Sequence, residues 1–309
     1  MSRTWLSAAR PATLWAAVVP VLVGGGLAWG EGGEPIGAIS PLLLPGPATR
    51  IFRWDAFVVT LVAALAIQVA ANFANDASDA KHGADDERRI GPTRAVASGL
   101  ITARNMWMAV WVMFAIAAAC GIYLAVIAGP VVIGIGVVSI LATLGYVGGP
   151  KPYGYRGLGE VFVFVFFGLI ATVGSRFVHD STAPLAAWLL AVPVGFLVTA
   201  ILEANNIRDI ETDRATGKRT LAVMLGRANT ARLFDALVYG AFVLIAVFAA
   251  AGWTPRWTAL AVGAVPLAVP VSRIIRTETE GPPLIRALKG TARLHLAVGA
   301  LLAFGAVLA

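Results

Sequence analysis

Nine apolar runs, each long enough or nearly long enough to cross hydrocarbon, constrain this 309-residue chain more than any other feature. A membrane-spanning helix needs about 20 mostly apolar residues, because each residue advances the helix by about 1.5 Å. Charged residues make up only 13% of the chain, about half of what is usual in a soluble domain. The runs lie at 13–29, 54–74, 105–127, 131–148, 158–178, 184–206, 229–251, 257–274 and 291–308. The sequence therefore predicts an all-α integral membrane protein with nine transmembrane helices.

The distribution of Lys and Arg predicts how these helices are oriented. The N-terminus and the segments after the second, fourth, sixth and eighth runs, counted together with the adjoining ends of the runs, carry 20 of the 24 basic residues. The opposite side carries four, at Arg50, Arg53, Arg176 and Arg256. Basic residues accumulate on the cytoplasmic side of membrane proteins. We therefore expect a cytoplasmic N-terminus, an external C-terminus and a location in the cell (inner) membrane.

Two features of the composition limit the classes of partner and site. The net charge is +7, which we assign to loops beside anionic lipid in the bilayer rather than to nucleic-acid binding. The one cysteine, Cys120, lies within an apolar run and excludes a disulfide framework or a cysteine-based zinc site. A single transmembrane domain spanning 1–309 is expected. Its two halves, about 1–150 and 151–309, each contain one copy of a polar motif.

The polar motif begins where the second and sixth apolar runs end. Asn72, Asn75, Asp79 and Gly83 have the same spacing as Asn206, Asp209, Asp213 and Gly217. On a helix, steps of three, four and four residues place all four positions within an arc of roughly 80°. Each motif therefore presents amides and carboxylates on one face of a helix end.

Two such helix ends, facing each other on the cytoplasmic side, would form a strongly negative pocket. Unpaired buried charge is costly, so this pocket needs a cation. The motifs offer oxygen ligands with neither Cys nor His, which favours Mg²⁺ over zinc. The basic residues beyond each acidic cluster suit an anion bridging the metal ions. These observations predict a metal–diphosphate site at one membrane face.

Further polar residues are expected on the same side of the membrane. The segment Tyr146–Glu160 (YVGGPKPYGYRGLGE) combines a Gly- and Pro-rich backbone with Lys151, Arg156 and three tyrosines. Arg10 and Pro11 precede the first apolar run. We therefore expect four polar clusters to converge on the cytoplasmic side.

These motifs, in this order, resemble the UbiA superfamily of intramembrane aromatic prenyltransferases. The similarity extends over nearly the whole chain, from Arg10 to the ninth run. Its motifs are N-D-x-x-D-x-x-x-G-x-D at Asn75–Asp85, G-P-x-R at Gly91–Arg94, G-P-K-P-x-G-Y-R-G-L-G-E at Gly149–Glu160 and N-N-x-R-D-x-x-x-D-x-x-x-G-K-R-T-L-A at Asn205–Ala222. They are most similar to the branch that prenylates 1,4-dihydroxy-2-naphthoate in menaquinone synthesis.

The resemblance implies a nine-helix bundle around a central cavity and a Mg²⁺-dependent enzyme. Such an enzyme transfers the polyprenyl group of polyprenyl diphosphate to dihydroxynaphthoate, releasing diphosphate and CO₂ to give demethylmenaquinone. The implied metal ligands are Asn75, Asp79, Asp85, Asp209 and Asp213. The implied catalytic residues are Asp79, Asp209, Asp213, Lys151 and Tyr146. The implied substrate-binding residues are Asn72, Asn75, Arg10, Arg156, Asn205, Asn206, Lys218 and Tyr153.

Two departures from the hydroxybenzoate-type pattern favour naphthoate as the acceptor. Gly83 stands where those relatives have Asp, so Asp85 or Asp86 must reach the metal instead. Leu202 stands where their second motif begins with Asp. These departures leave the general base unassigned. The same chemistry on hydroxybenzoate, homogentisate or a chlorin-like alcohol remains the alternative.

A cation-coupled transporter is the competing class of function. Transporters of that class carry inverted repeats, with carboxylates near the membrane midplane. Here the copies are four helices apart, and both place their carboxylates at helix ends on one side. This arrangement favours an enzyme. The sequence leaves the prenyl chain length and the oligomeric state open.

Overall fold

A computed structural model of the protein describes residues 2–31, 38–39, 52–81, 94–148, 152–279 and 281–309. Within them the chain is almost entirely helical. The longer helices are α2 (Trp15–Gly30), α3 (Trp54–Lys81), α4 (Ala103–Ala128), α5 (Val131–Val147), α6 (Gly159–Asp180), α7 (Leu185–Ala215), α9 (Arg227–Ala250), α10 (Arg256–Thr277) and α11 (Pro282–Val307). The shorter elements are α1 (Ser2–Ala8), α8 (Leu221–Leu225) and two paired strands, β1 (Ala38–Ile39) and β2 (Ala183–Pro184).

Each predicted apolar run coincides with one of the longer helices, which confirms the all-α membrane architecture. Among the described residues, seven helices are long and apolar enough to cross a membrane. The first run belongs to a helix pair bent by 53°, Arg3–Thr13 and Trp15–Gly30, and the fourth belongs to a shorter helix, α5. Nine crossings, and their direction, therefore remain predictions.

Glycines allow α2 to pack closely against the helices on either side of it. A Cβ atom at Gly24 would lie 2.6 Å from the carbonyl oxygen of Thr172 in α6. At Gly26 it would lie 2.6 Å from that of Ala303 in α11. Small residues at such contacts let helix backbones approach within the membrane. As a result, α2 joins the half of the bundle that contains α6 to the half that contains α11.

The packed core lies mainly between the C-terminal helices. Its largest cluster of buried apolar residues is contributed by α2, α6, α7, α9, α10 and α11. A smaller cluster lies between α1, α3 and α4 and includes Phe73, Met106 and Val110. In contrast, α4 and α5 expose many apolar side chains, such as Val126 and Leu141, as expected for surfaces in contact with lipid.

Helix α6 changes its winding in the middle. Residues Phe164–Ile170 form π-helical turns between two α-helical segments. Within them, Gly168 lies so close to α7 that a Cβ atom there would be 2.5 Å from the Cα atom of Gly195. Short π segments occur often at functional sites, because the extra residue re-aims the neighbouring side chains.

A buried ion cluster connects α2 and α6 at the end of the bundle away from the acidic motifs. The Arg176 guanidinium contacts Glu31 and Asp180, each at 2.7 Å. Arg176 is only 1% exposed, so both carboxylates are needed to compensate for its desolvation. The cluster thereby holds the end of α2 against α6.

Candidate active site

The two acidic motifs meet at the C-terminal ends of α3 and α7. Asp79 lies in the last turn of α3, and Asp213 lies in the last turn of α7. Their carboxylates flank a single ammonium group, with the Lys218 Nζ atom 2.7 Å from Asp79 and 3.9 Å from Asp213. All three side chains are largely buried. The duplicated motif therefore assembles one site from two distant parts of the chain.

The turn after α7 explains how Lys218 reaches this position. Gly217 has a left-handed backbone with φ of 74°, which ends the helix as glycine commonly does. The chain then folds back, and the Lys218 N–H donates to the Asp213 carbonyl at 2.9 Å. The next N–H, of Arg219, donates to the Tyr155 carbonyl at 3.0 Å. The Lys218 side chain is thus fixed over the acidic pair.

The Asp79 carboxylate contacts three different side chains of the site. Besides Lys218, it accepts a hydrogen bond of 2.7 Å from Arg94 and one of 3.1 Å from the Tyr155 hydroxyl. Burial, followed by the Asp79 charge, raises the pKa of Tyr155, so its phenol stays protonated and donates. Burial is the largest single influence on the pKa of Lys218 and lowers it, but Asp79, Tyr155 and Asp213 together raise it by more, so the net pKa lies above the ordinary value. Lys218 is therefore a cation at neutral pH.

Asp209 has a different partner. The adjacent Arg208 donates to both of its carboxylate oxygens, with Nε 2.7 Å from one and Nη2 2.5 Å from the other. Arg208 also donates to the Asn205 amide oxygen at 2.9 Å. This two-pronged pairing is the strong form of an arginine–carboxylate contact. It fixes the Asp209 carboxylate at the wall of the site.

A cavity of about 360 Å³ extends from these carboxylates into the apolar part of the bundle. Its polar end includes Arg10, Arg94 and Lys218 together with the acidic residues. Its far end is formed by apolar side chains such as Leu124, Val132 and Val178. Along α3 the lining extends from Thr60 to Asp79, a helix length of about 28 Å. The cavity can therefore hold a long molecule with one anionic end and one apolar end.

Aromatic rings form one wall of the cavity beside the carboxylates. Tyr153 stacks on Phe162, with ring centres 3.7 Å apart, and Phe162 is parallel to Phe166 at 6.0 Å. Tyr146 meets Tyr153 edge to face at 5.5 Å. All four rings line the cavity. Their π faces provide the negative surface that attracts a cation in a dry site.

The donor set at the polar end is compatible with Mg²⁺. Within the described ranges, no group of three His, Cys, Asp or Glu side chains is arranged to hold an ion. Magnesium does not require such a cage, because it is usually bound by one or two carboxylates together with substrate phosphates. Asp79 and Asp213 already share one cation, the Lys218 ammonium. The acidic pair is therefore arranged around positive charge, as a divalent ion requires.

Most of the predicted site residues described by the structure line this cavity. They are Arg10, Asn72, Asn75, Asp79, Tyr146, Tyr153, Asn205, Asn206, Asp209, Asp213 and Lys218. Arg156 instead has an exposed side chain and does not contribute to the lining. Asp85, Asp86, Gly83 and Lys151 lie outside the described residues. The functional roles assigned to all these residues remain predictions.

Two of the amides in the motifs have clear structural contacts. The Asn72 amide donates to the Ala9 carbonyl at 2.8 Å and to the Thr13 hydroxyl at 3.1 Å. Asn72 thereby holds the segment that contains Arg10 against the cavity. The Asn206 amide donates to Glu160 at 2.9 Å and connects α7 to α6.

Sequence reasoning did not assign roles to Arg94, Tyr155 and Gln68, all of which line the cavity. The first two occur in the quoted motifs, as the final residue of G-P-x-R and within the tyrosine-rich segment. Gln68 could have been identified as an isolated amide one turn before Asn72, on the same face of α3.

The sequence profile of the UbiA prenyltransferase family matches residues 17–290. The chain belongs to the UbiA prenyltransferase family. It is 38% identical to a 1,4-dihydroxy-2-naphthoate octaprenyltransferase of Mycobacterium leprae, covering 98% of this chain and 95% of that protein. It is 37% identical to the enzyme of the same name from Mycobacterium tuberculosis, covering 97% of each chain. This prenyltransferase is therefore an enzyme of a multi-pass membrane family, and the competing transporter interpretation is dropped.

Its fold also matches solved structures of the UbiA family. A UbiA homologue from Archaeoglobus fulgidus, bound to GPP and Mg²⁺, superimposes with a TM-score of 0.60. The match covers 99% of this chain and 100% of the other, at 15% sequence identity. At that identity the likeness establishes the shared fold, and it confirms the membrane bundle expected from the sequence.

Proposed function

We propose that this prenyltransferase uses Mg²⁺ to transfer a polyprenyl group from polyprenyl diphosphate to 1,4-dihydroxy-2-naphthoate. The observation that carries the proposal is the pairing of Asp79 and Asp213 around Lys218 at the polar end of an otherwise apolar cavity. This geometry suits a diphosphate head and an isoprenoid tail. The names of the Mycobacterium relatives support naphthoate as the acceptor. Leu202, which lines the cavity in place of an acidic residue, supports the same choice.

The metal and diphosphate would be held at the ends of α3 and α7. We assign metal binding to Asn75, Asp79, Asp209 and Asp213, with Asp85 of the following segment as a further ligand. Bound Mg²⁺ would neutralise the negative charge that develops on the leaving diphosphate. Lys218, Arg94 and Arg10 supply additional positive charge at the same end of the cavity. Arg156 and Lys151 remain candidates for contacts outside the described lining.

The aromatic wall would act on the other fragment of the broken bond. When the allylic C–O bond breaks, its electron pair leaves with diphosphate and the prenyl carbon becomes electron-poor. The rings of Tyr146, Tyr153 and Phe162 stabilise such a carbon and exclude water from it. We therefore assign these side chains to protecting the carbocation from hydrolysis.

The acceptor completes the reaction by attacking that carbon. A new C–C bond forms to the naphthoate ring, and the carboxylate leaves as CO₂ while its electron pair remains on the ring. The organic product at this stage is the reduced quinol. Loss of two electrons and two protons to an external oxidant then gives demethylmenaquinone.

The test is a stoichiometry measurement on membranes containing the protein. With Mg²⁺, polyprenyl diphosphate and carboxyl-labelled dihydroxynaphthoate, we expect diphosphate and labelled CO₂ to appear in equal amounts. EDTA should stop the reaction, and added Mg²⁺ should restore it. 4-Hydroxybenzoate in place of the naphthoate is the control acceptor. Diphosphate release without CO₂, or preferential use of hydroxybenzoate, would rule out the naphthoate assignment.

We further propose that the chain is one domain that crosses the cell (inner) membrane nine times, with the site facing the cytoplasm. The 20-to-4 distribution of basic residues supports this orientation. Both halves of the chain supply cavity residues, which supports a single functional unit. Single cysteines introduced at Thr216 and at Gly252, in a Cys120→Ser background, should react with a membrane-impermeant reagent from opposite sides. Labelling of both from the same side would contradict the proposed topology.

A further inference from the structure

Gln68, on α3, carries a polar atom that the proposed roles leave unused. It lines the cavity and is 7% exposed. Its side chain lies one helical turn from Asn72, on the face that also contains Asn75 and Asp79. An amide in this apolar part of the cavity needs partners for both its donor and its acceptor.

A chain of hydrogen bonds fixes which end of the Gln68 amide points into the cavity. A carbonyl oxygen can only accept a hydrogen bond, so the group facing the Ala9 carbonyl, 2.8 Å away, must be the Asn72 amide nitrogen. This contact sets the orientation of the Asn72 amide. The Asn72 oxygen then faces Gln68, which must present its own nitrogen, at 3.5 Å. The opposite orientation would place two amide oxygens against each other. The Gln68 oxygen is therefore the atom left over.

The described residues offer no hydrogen-bond donor to this oxygen. A buried acceptor without a donor destabilises a protein, so such a group in a native structure calls for an explanation. A bound molecule that satisfies the Gln68 oxygen must therefore place a hydrogen-bond donor beside it. An ionised diphosphate has only acceptors, and an isoprenoid tail has neither donors nor acceptors. Of the substrates in the proposed reaction, only the aromatic acceptor has hydroxyl groups.

We propose that the Gln68 amide oxygen accepts a hydrogen bond from a ring hydroxyl of the aromatic acceptor. This inference rests on the proposed function. Gln68 lies eleven residues before Asp79, a helix length of about 16 Å, and the Asn72 and Asn75 side chains lie between them. The acceptor ring would therefore be placed on the apolar side of the diphosphate, beside the Arg10 segment that Asn72 holds. Gln68 would select diphenols over acceptors without a hydroxyl at that position.

The experiment replaces Gln68 with Met, which has similar length and no hydrogen-bonding oxygen. We expect the KM for dihydroxynaphthoate to rise roughly tenfold, as loss of one buried hydrogen bond implies. The KM for polyprenyl diphosphate should change less than about twofold, because the tail and diphosphate do not use this oxygen. Gln68→Leu is the second variant, and thermal unfolding of both variants checks that they fold.

Two analogues identify the bonded hydroxyl. The 1-hydroxy- and 4-hydroxy-2-naphthoates are measured as competitive inhibitors of the unsubstituted enzyme and of Gln68→Met. We expect the substitution to raise the inhibition constant of one analogue roughly tenfold and to leave unchanged the inhibition constant of the analogue without the bonded hydroxyl. Thr172→Val is the matched control, since its buried hydroxyl also lacks a described partner but does not line the cavity. Thr172→Val should leave both KM values and both inhibition constants unchanged.

Three results would overturn the inference. One is an unchanged KM for dihydroxynaphthoate, which would mean that water satisfies Gln68. Another is an equal loss of affinity for both analogues. The third is a rise in the KM for polyprenyl diphosphate equal to the rise in the KM for dihydroxynaphthoate. Failure of the unsubstituted enzyme to prenylate dihydroxynaphthoate would instead refute the proposed function.

Discussion

Two carboxylates that are only three residues apart on α3 have different hydrogen-bond partners. Asp79 faces the cavity and contacts Lys218, Arg94 and Tyr155. Asp76 accepts hydrogen bonds from the backbone N–H groups of Ala95 and Val96, at 3.1 and 2.9 Å. The first carboxylate lines the cavity, whereas the second holds in place the segment that contains Arg94.

Replacing either Asp79 or Asp213 with Ala should lower turnover by at least about a hundredfold, because the metal and diphosphate lose a carboxylate anchor. Both proteins should remain folded and inserted in the membrane. The measurement is product formation per inserted protein, with Glu211→Ala as the control, since that side chain is exposed. Near-normal turnover in either Asp variant would contradict the proposed metal role.

Asp76→Ala should affect stability first. One buried and one partly buried backbone N–H group would lose a charged partner, at a cost on the order of 3 kcal/mol. We expect a lower unfolding temperature in detergent, together with a partial loss of activity through displacement of Arg94. Inactivity with an unchanged unfolding temperature would show that Asp76 acts on the substrate instead.

At the scale of single residues, sequence periodicity predicted which side chains share a face, and the spacing of Asn72, Asn75 and Asp79 did place them on one cavity wall. Periodicity could not predict the partners. Asn72 contacts a carbonyl 63 residues away, and Lys218 contacts a carboxylate 139 residues away. Those contacts depend on how the helices pack against each other, and the spacing of residues along one helix carries no information about that packing.

Helix ends show where hydropathy is an incomplete guide. The gap between the apolar runs 105–127 and 131–148 matches the break at Gly129-Pro130, because α4 ends at Ala128 and α5 begins at Val131. However, α3 continues to Lys81 and α7 to Ala215, seven and nine residues beyond their apolar runs. Polar residues end an apolar run without ending a helix, so the acidic motifs extend their helices by about two turns. The winding change in α6 has no comparable signal in the sequence.

Gly136 on α5 allows the width of the cavity to be tested. It lines the cavity, and a Cβ atom there would have no protein atom within 4 Å. A Gly136→Phe ring would therefore enter the space proposed for the tail. We expect activity with a long polyprenyl diphosphate to fall by at least about tenfold, the usual cost of overfilling a site. Activity with geranyl diphosphate, whose tail is much shorter, should be largely retained.

The control for this experiment lies two residues away. Gly134 has equally open surroundings, but it is exposed and does not line the cavity. Gly134→Phe should leave the rates with both diphosphates unchanged. Equal losses in the two Phe variants would indicate damage to α5 rather than a narrower cavity.

Across the whole molecule, α9, α10 and α11 contribute to the packed core and scarcely to the cavity, whereas α2, α6 and α7 contribute to both. Among the described residues, Leu288 is the sole cavity contribution from α9, α10 and α11. Those helices instead supply most of the largest apolar cluster. Composition predicted the membrane bundle as a whole, but the mean hydropathy of a helix does not indicate whether its apolar face meets a cavity, lipid or another helix. It therefore could not distinguish the helices that form the cavity from those that form the core.

This division predicts the effect of a cavity-creating substitution in the core. Leu294 on α11 is fully buried, so Leu294→Ala should destabilise the protein by on the order of 2 kcal/mol. Below the unfolding temperature, the KM values for both substrates should stay unchanged. A shift in either KM without loss of stability would show that α11 shapes the cavity.

Because α9–α11 brace the bundle by supplying most of its packed core, while the described part of the cavity comes almost entirely from the preceding part of the chain, we expect durability and selectivity to be separable traits. Relatives can diverge in their preferred quinone precursor or tail length without rebuilding the brace. Adaptation to a warmer habitat or a thicker bilayer can proceed in the brace without retuning the chemistry. To change the acceptor, the cavity-lining residues of α3 to α7 are therefore the positions to randomise. To raise stability, the final three helices can be exchanged for those of a more thermostable homologue.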